Sequence, residues 1–243
     1  ADRQRSQIAH LFSSNEDRSF SESIRTIRTG LVLSGMAEPH RILVVTSSLP
    51  GEGKSTVAAN LAYAFGQLEK VLLVDADLRR PTLAKNFKFP VGTPGLANLI
   101  AGTARVEDCI KTIEGIDMLC AGAVPPNPLE LLSSERFAAV IEDLRNRYDR
   151  VIIDSPPIQA VSDATILATH ADAQIYVIKS ETTPVPLAQK GVGQLLQSNS
   201  PVTGVVLNQV DVRKAQKQGY HYGGYYDYYG YTSSQPATEA QKA

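Results

Sequence analysis

The sequence predicts an α/β fold: a mostly parallel, twisted sheet with helices on both faces, followed by a flexible C-terminal tail. Two observations point to the layered domain. Continuous apolar runs such as "RILVVTS" and "VIIDSPP" alternate with segments of helical period, the pattern of strands buried on both faces of a parallel sheet. The first such run leads through a Gly-rich loop directly into an apolar-faced helix. A third observation sets the tail apart, because after Asp211 the hydrophobic period disappears.

In chain order, residues 1–18 are polar and expected to be flexible. Ser19 and Glu22 have the spacing of a capping box and predict a helix with Ile24, Ile27 and Leu31 on its inner face. "RILVVTS" then reads as a strand, "KSTVAANLAYAFGQL" as a helix and "KVLLVDAD" as the next strand. A looser region follows, punctuated by Gly92, Pro94, Gly95 and Gly102. "IDMLCAG" reads as a strand, and Asn127, Pro128 and Glu130 occupy the N-cap, first and third positions of a helix. Phe137, Val140, Ile141 and Leu144 share one face of the helix that runs into "RVIIDSPP". A helix over 163–169, the strand "QIYVIKS", a helix over 187–197 and the strand "VTGVVLNQ" complete the series. The domain is expected to span residues 19–210 and the tail 211–243.

The 243 residues suit one domain plus a tail, and 43% apolar residues suffice for a sizeable core. A net charge of −1 supplies no global field for nucleic acid, and no nucleic-acid partner is expected. Cys109 and Cys120 form no CxxC pair and read as reduced core residues. The four histidines are scattered and suggest neither a metal site nor a triad. No apolar run reaches the ~18 residues of a membrane span. The chain opens at Ala1 without methionine, as a piece excised from something longer would.

"SLPGEGKST", Ser48–Thr56, lies between a predicted strand and a predicted helix, the context a phosphate loop requires. Gly51 and Gly53 let backbone N–H groups turn inward, and Glu52 and Thr56 complete the cradle. Lys54 would reach the β/γ-phosphates, and Ser55 would ligate Mg²⁺ through its hydroxyl. The usual pattern has glycine where Ser48 stands.

Two further strands end in acids: Asp75 and Asp77 after one, Asp154 after the other. Ligands of open parallel sheets bind beyond the carboxyl ends of the strands, so the three carboxylates are expected to converge on the loop. Asp75 and Asp77, two apart, would share one side of an extended chain. Asn208 ends the last strand, where its amide could read an adenine edge or cap a turn. Arg79 and Arg80 could serve the phosphates, a neighbouring subunit or a solvated loop.

Two carboxylate motifs after a phosphate loop resemble the deviant-Walker ATPases of partition and division-site selection. Those carry a lysine where this chain has Leu49, which argues against a switch of that kind. The full set (SxxxxGKS, "VDAD", "VIIDSPP", "PPNPLELLSSERF", "ESIRTIR" and a C-terminal tyrosine cluster) resembles the bacterial tyrosine autokinases of capsule and exopolysaccharide synthesis. The resemblance implies a P-loop kinase fold using ATP and Mg²⁺. Lys54 and Ser55 would hold phosphate and magnesium, and Asp77 and Asp154 look like the Mg²⁺ carboxylates. Asp75 resembles the acid that accepts or orients the tyrosine hydroxyl proton.

Glu22, Arg25 and Arg28 match that family's E-x-x-R-x-x-R oligomerisation motif, implying a homo-oligomeric ring, with an octamer as the form the resemblance suggests. On a helix the three span a stripe expected to face roughly opposite Ile24, Ile27 and Leu31. An intrahelical Glu22–Arg25 pair is the plainer reading. Also implied are a membrane-spanning activator or membrane half, a tyrosine phosphatase, and a location on the cytoplasmic face of the bacterial inner membrane.

The tail concentrates seven of the chain's ten tyrosines: Tyr220, Tyr222, Tyr225, Tyr226, Tyr228, Tyr229 and Tyr231. Beside a kinase-like domain they read as phosphoacceptors, on a tether able to reach an adjacent subunit. By composition alone such a tail reads as an adhesive contact segment. A partition-type switch and a nucleotide-dependent scaffold stay open as alternatives.

Overall fold

The computed structural model describes residues 11–14, 17–198, 202–211 and 214. The chain divides into two compact units, Ala1–Asn208 and Gln209–Ala243. In the second, the Lys214 amide donates to Asp211 Oδ1 at 3.1 Å. The seven tail tyrosines and the N-terminal ten residues lie outside the described residues.

The first unit runs α1 (Leu11–Ser14), α2 (Arg18–Ser34), β1 (Ile42–Ser47), α3 (Lys54–Gly66), β2 (Val71–Asp75), α4 (Leu83–Asn86), α5 (Leu96–Ala101) and α6 (Val106–Cys109). It continues with β3 (Ile110–Ile113), β4 (Ile116–Leu119), α7 (Pro128–Leu132), α8 (Glu135–Arg147), β5 (Arg150–Asp154), α9 (Asp163–Thr169), β6 (Ala173–Lys179), α10 (Val185–Gln197) and β7 (Val202–Asn208). The strands form one seven-stranded sheet in the order β3-β4-β2-β5-β1-β6-β7. Every pairing is parallel except β3 with β4. Among the described residues no helix is long and apolar enough to cross a membrane.

The apolar runs of β1, β2 and β5 are buried along their whole length, because helices cover both faces. On one face α3 packs Val57, Leu61 and Phe65 against Leu43, Val45, Leu73 and Ile152. On the other, Leu96 and Ile100 of α5 and Phe137, Ile141 and Leu144 of α8 meet Ile42, Val44, Leu72 and Ile153. A smaller cluster joins Tyr176 of β6 to Ile158, Ala164, Ala188 and Leu195. Both cysteines are free and buried, as their spacing suggests.

Some local readings change. The cap of α2 is Asp17, whose side chain accepts the Phe20 N–H at 3.0 Å, so Ser19 is already helical. At α7 the expected cap holds: Asn127 accepts from the Glu130 amide, with Pro128 at the first helical position. Strand β3 was not expected. Its central residues Lys111 and Thr112 are exposed, and it turns into β4 through Glu114 and Gly115 at φ 47° and 87°, the backbone of a tight hairpin. At the other edge β7 is only half-buried, with Val205 and Leu207 exposed.

Candidate nucleotide site

β1 delivers the chain to the loop at the carboxyl end of the sheet. Gly51 and Gly53 take φ of 85° and 94°, a region a side chain disfavours. Gly53 caps α3, so the first helical residue is Lys54 and the first N–H groups of the helix face the loop. A helix start left open in this way is an anion cradle.

Lys54 Nζ stands 3.5 Å from Asp77 Oδ2, 3.5 Å from Asp154 Oδ1 and 3.4 Å from Ser55 Oγ. Thr82 Oγ1 lies 3.4 Å from Ser55 Oγ. Burial pulls the Lys54 pKa down, but the charges of Asp154, Asp77 and Asp75 outweigh it and the net shift is upward. The ammonium is therefore held charged.

Asp75 and Asp154 face each other in register across β2 and β5. Both are fully buried. Burial, and then the Asp154 charge, pushes Asp75 up to about 7. Burial likewise raises Asp154, against the opposing pull of Lys54.

Asp77 is not on the same extended segment as Asp75, which corrects the expectation from their spacing. β2 ends at Asp75, because the Asp75 carboxylate folds the following turn around itself. Its Oδ2 accepts from Thr82 and Leu83 amides at 3.1 and 3.0 Å, and its Oδ1 accepts from the Asp77 amide at 3.3 Å. Asp77 in turn accepts the Arg80 amide at 3.0 Å.

The implied Mg²⁺ fits this donor set. Neither Asp154 carboxylate oxygen makes a hydrogen bond of ordinary geometry although both are buried. A buried acceptor left this way calls for a cation or ordered water. No cluster of three His, Cys, Asp or Glu forms a cage among the described residues. Mg²⁺ needs none, since it is commonly held by one or two carboxylates, waters and phosphates.

The other expected residues divide. The Glu52 carboxylate is turned into the protein, accepting from the Leu49 amide at 2.6 Å and from the Thr183 hydroxyl. The Asn208 side-chain amide donates to the Glu52 carbonyl at 2.9 Å. Arg79 is engaged within the subunit, bidentate on buried Asp163 at 2.8 and 3.0 Å. Ser48 Oγ, where glycine is usual, pairs with Tyr176 Oη at 2.8 Å. Thr82, Asp163, Tyr176 and Thr183 carried no sequence signal, because each acts through a contact far away in the chain.

The α2 stripe also needs correction. Glu22 pairs with Arg25, as the plainer reading had it, and Arg25 lies 5.4 Å over the Phe12 ring. Arg28 points inward and donates to the Ala64 carbonyl at 2.8 Å. At 100° per residue it falls only about 40° and 60° from Ile24 and Leu31, so it flanks the buried face instead of opposing it.

Residues 40–211 match the AAA_31 family, described as an AAA domain. Tyrosine-protein kinase YwqD of Bacillus subtilis (strain 168) is 40% identical over 204 residues, covering 83% of this chain and 86% of YwqD. The chain belongs to the bacterial tyrosine-protein kinases. Against putative tyrosine-protein kinase EpsB of Ralstonia solanacearum it is 36% identical, with 91% of this chain spanning 30% of that longer protein. Among solved structures, the VpsO kinase domain shares 43% identity at a TM-score of 0.74, over 80% of this chain and 97% of that one. MinD of Pyrococcus horikoshii OT3, complexed with Mg-ADP, shares 28% identity at a TM-score of 0.59, over 70% of this chain and 71% of MinD. This kinase thus has the P-loop fold expected from its sequence and binds nucleotide as a protein-tyrosine kinase.

Proposed function

We propose that this kinase uses ATP and Mg²⁺ to phosphorylate the tyrosine cluster 220–231 of neighbouring copies of itself. The observation that carries the reading is the placement of Lys54 Nζ, 3.5 Å from both Asp77 and Asp154 at the loop mouth. A γ-phosphate there meets one fixed cation and the open helix start, while the two acids would hold Mg²⁺ with Ser55. The metal would neutralise developing charge on the phosphates. Phosphoryl transfer asks mainly for positioning and charge neutralisation.

In the transfer, a tyrosine oxygen bonds to the γ-phosphorus, the bond to the ADP oxygen breaks, and the phenolic proton passes to Asp75. Burial raises the Asp75 pKa above the usual carboxylate range, the direction a proton-accepting acid needs. The acid lies beneath the Asp77–Leu83 turn, so displacement of that turn accompanies acceptor entry. In this reading Asn208 would meet the base, and Gly51, Gly53 and Thr56 would line the phosphates.

Glu22 and Arg25 contribute to a ring of subunits in this reading. Each phosphate adds about −1.5 to −2 charge, so modified tails repel and the ring loosens. The wider setting is regulation of capsule or exopolysaccharide polymerisation at the cytoplasmic face of the inner membrane. A membrane-spanning activator and a tyrosine phosphatase complete it. That setting rests on the resemblance and on relatives much longer than this chain.

Incubation with γ-labelled ATP and detection of phosphotyrosine tests the proposal. The kinase labels its own 220–231 segment, and Asp75→Ala stays dark. A chain that binds ATP without labelling is a scaffold, and one that releases free phosphate without labelled protein is a switch. Sedimentation of Lys54→Met against ATP-treated wild type tests the cycle, which fails if both assemble equally.

A further inference from the structure

Among the loop residues Glu52 is anomalous, because its charge repels the polyphosphate that the loop is built to receive. The fold removes the conflict by turning the carboxylate inward, where Glu52 is only 3% exposed. No ion pair neutralises it among the described residues; its partners are neutral donors. Oε2 accepts the Leu49 amide at 2.6 Å, and Oε1 accepts the Thr183 hydroxyl. Thr183 Oγ1 itself accepts the Lys179 amide at 3.2 Å, which fixes its rotor so that its proton points at Glu52. The Asn208 amide grips the Glu52 carbonyl at 2.9 Å, and the Ser180 amide binds the Asn208 carbonyl at 2.9 Å.

Three separate segments are thereby tied together: the phosphate loop, the 179–183 connection between β6 and α10, and the end of β7. We infer that Glu52 is a positioning residue whose bond to Thr183 latches the phosphate loop to the 179–183 connection and holds the loop in its nucleotide-receiving shape. The inference rests on the reading that this loop binds ATP. The same latch gives the β6–α10 connection a direct hold on nucleotide affinity, since any displacement of Thr183 releases Glu52. A released Glu52 leaves the Leu49 turn without its acceptor and brings a negative charge to the phosphates.

Titration of the full chain with a fluorescent ATP analogue and Mg²⁺ tests the latch. A hydrogen bond to a buried charge carries enough energy for Thr183→Val and Glu52→Ala each to raise Kd roughly tenfold. The double variant binds within about twofold of Glu52→Ala, because both changes break one interaction. Thr183→Ser, which keeps the hydroxyl, binds within about twofold of wild type. Unchanged Kd in the single variants, multiplying effects in the double, or failure of serine to rescue overturns the latch. A lower melting temperature with Kd intact overturns it as well, since that is the signature of a merely structural contact. Wild type that binds no nucleotide overturns the nucleotide reading and the latch together, whereas variants that bind like wild type overturn the latch alone.

Discussion

Lys54 Nζ approaches Asp154 Oδ1 at 3.5 Å, yet neither oxygen of that buried carboxylate makes an ordinary hydrogen bond. A buried charge held so loosely is costly, because the desolvation penalty exceeds what a long ion pair returns. The arrangement makes sense as a site held ready for a cation and phosphate.

Asp154→Asn is therefore expected to separate stability from activity. Removing the charge leaves the nucleotide-free protein as stable as wild type or more so in thermal melts. Self-labelling with ATP falls by on the order of 10²–10³, the scale for losing one preorganised electrostatic partner. A stability loss paralleling the activity loss contradicts this account.

The same buried acids set a pH dependence in the metal-free, nucleotide-free protein. Asp75 has its folded pKa raised to about 7, first by burial and then by Asp154. A raised folded pKa means that its contribution to stability is fully present below the unfolded value. That contribution is lost as pH rises through about 7. Denaturant midpoints in EDTA should thus show a fall between about pH 4 and pH 7 that is absent in Asp75→Asn. The expected difference at pH 8 is a few kcal/mol at most, from about 1.4 kcal/mol per pKa unit. Superimposable wild-type and variant profiles would refute it.

Gly191 tests the packing beneath the phosphate loop. A Cβ there would stand 1.8 Å from Tyr176 Oη and 3.1 Å from Ile158 Cγ2. The hydroxyl that holds Ser48 must then move. Gly191→Ala should cost about 1–3 kcal/mol, a drop of roughly 2–12 °C in melting temperature. Gly193→Ala, two residues further along α10 with open space around it, should raise the melt by a few degrees at most, since alanine is favoured over glycine inside a helix by about 1 kcal/mol.

Much of this was legible because the relevant signals are local. Continuous apolar runs announced β1, β2 and β5, and the loop glycines lay between strand and helix. The acids followed strand ends, where the sheet register makes Asp75 and Asp154 neighbours. What was missed is non-local or weakly patterned. β3 mixes exposed Lys111 and Thr112 with two isoleucines, a pattern without clear alternation, and the Glu114-Gly115 turn after it went unread. Asp163, Thr183 and Tyr176 have roles assigned by residues some 80 to 130 positions away. Arg28 was misplaced because a three-residue spacing drifts by about 60° per step around a helix.

Arg28 yields the last expectation. Its guanidinium donates to the Ala64 carbonyl near the end of α3, the helix whose first residue is Lys54. Carbonyls in the last turn of a helix lack intrahelical partners, so Arg28 serves the subunit interior. Glu22 and Arg25 form a half-exposed pair, of a kind worth about 0–1 kcal/mol. Arg28→Ala should cost about 1 kcal/mol, or about 2–4 °C in a dilute melt, and Arg28→Lys should recover part of it. Glu22→Ala should leave that melt within about 1 °C while lowering the sedimentation coefficient at high protein concentration. Equal melts for Arg28→Ala and Glu22→Ala would return Arg28 to the subunit surface and leave all three residues to the ring.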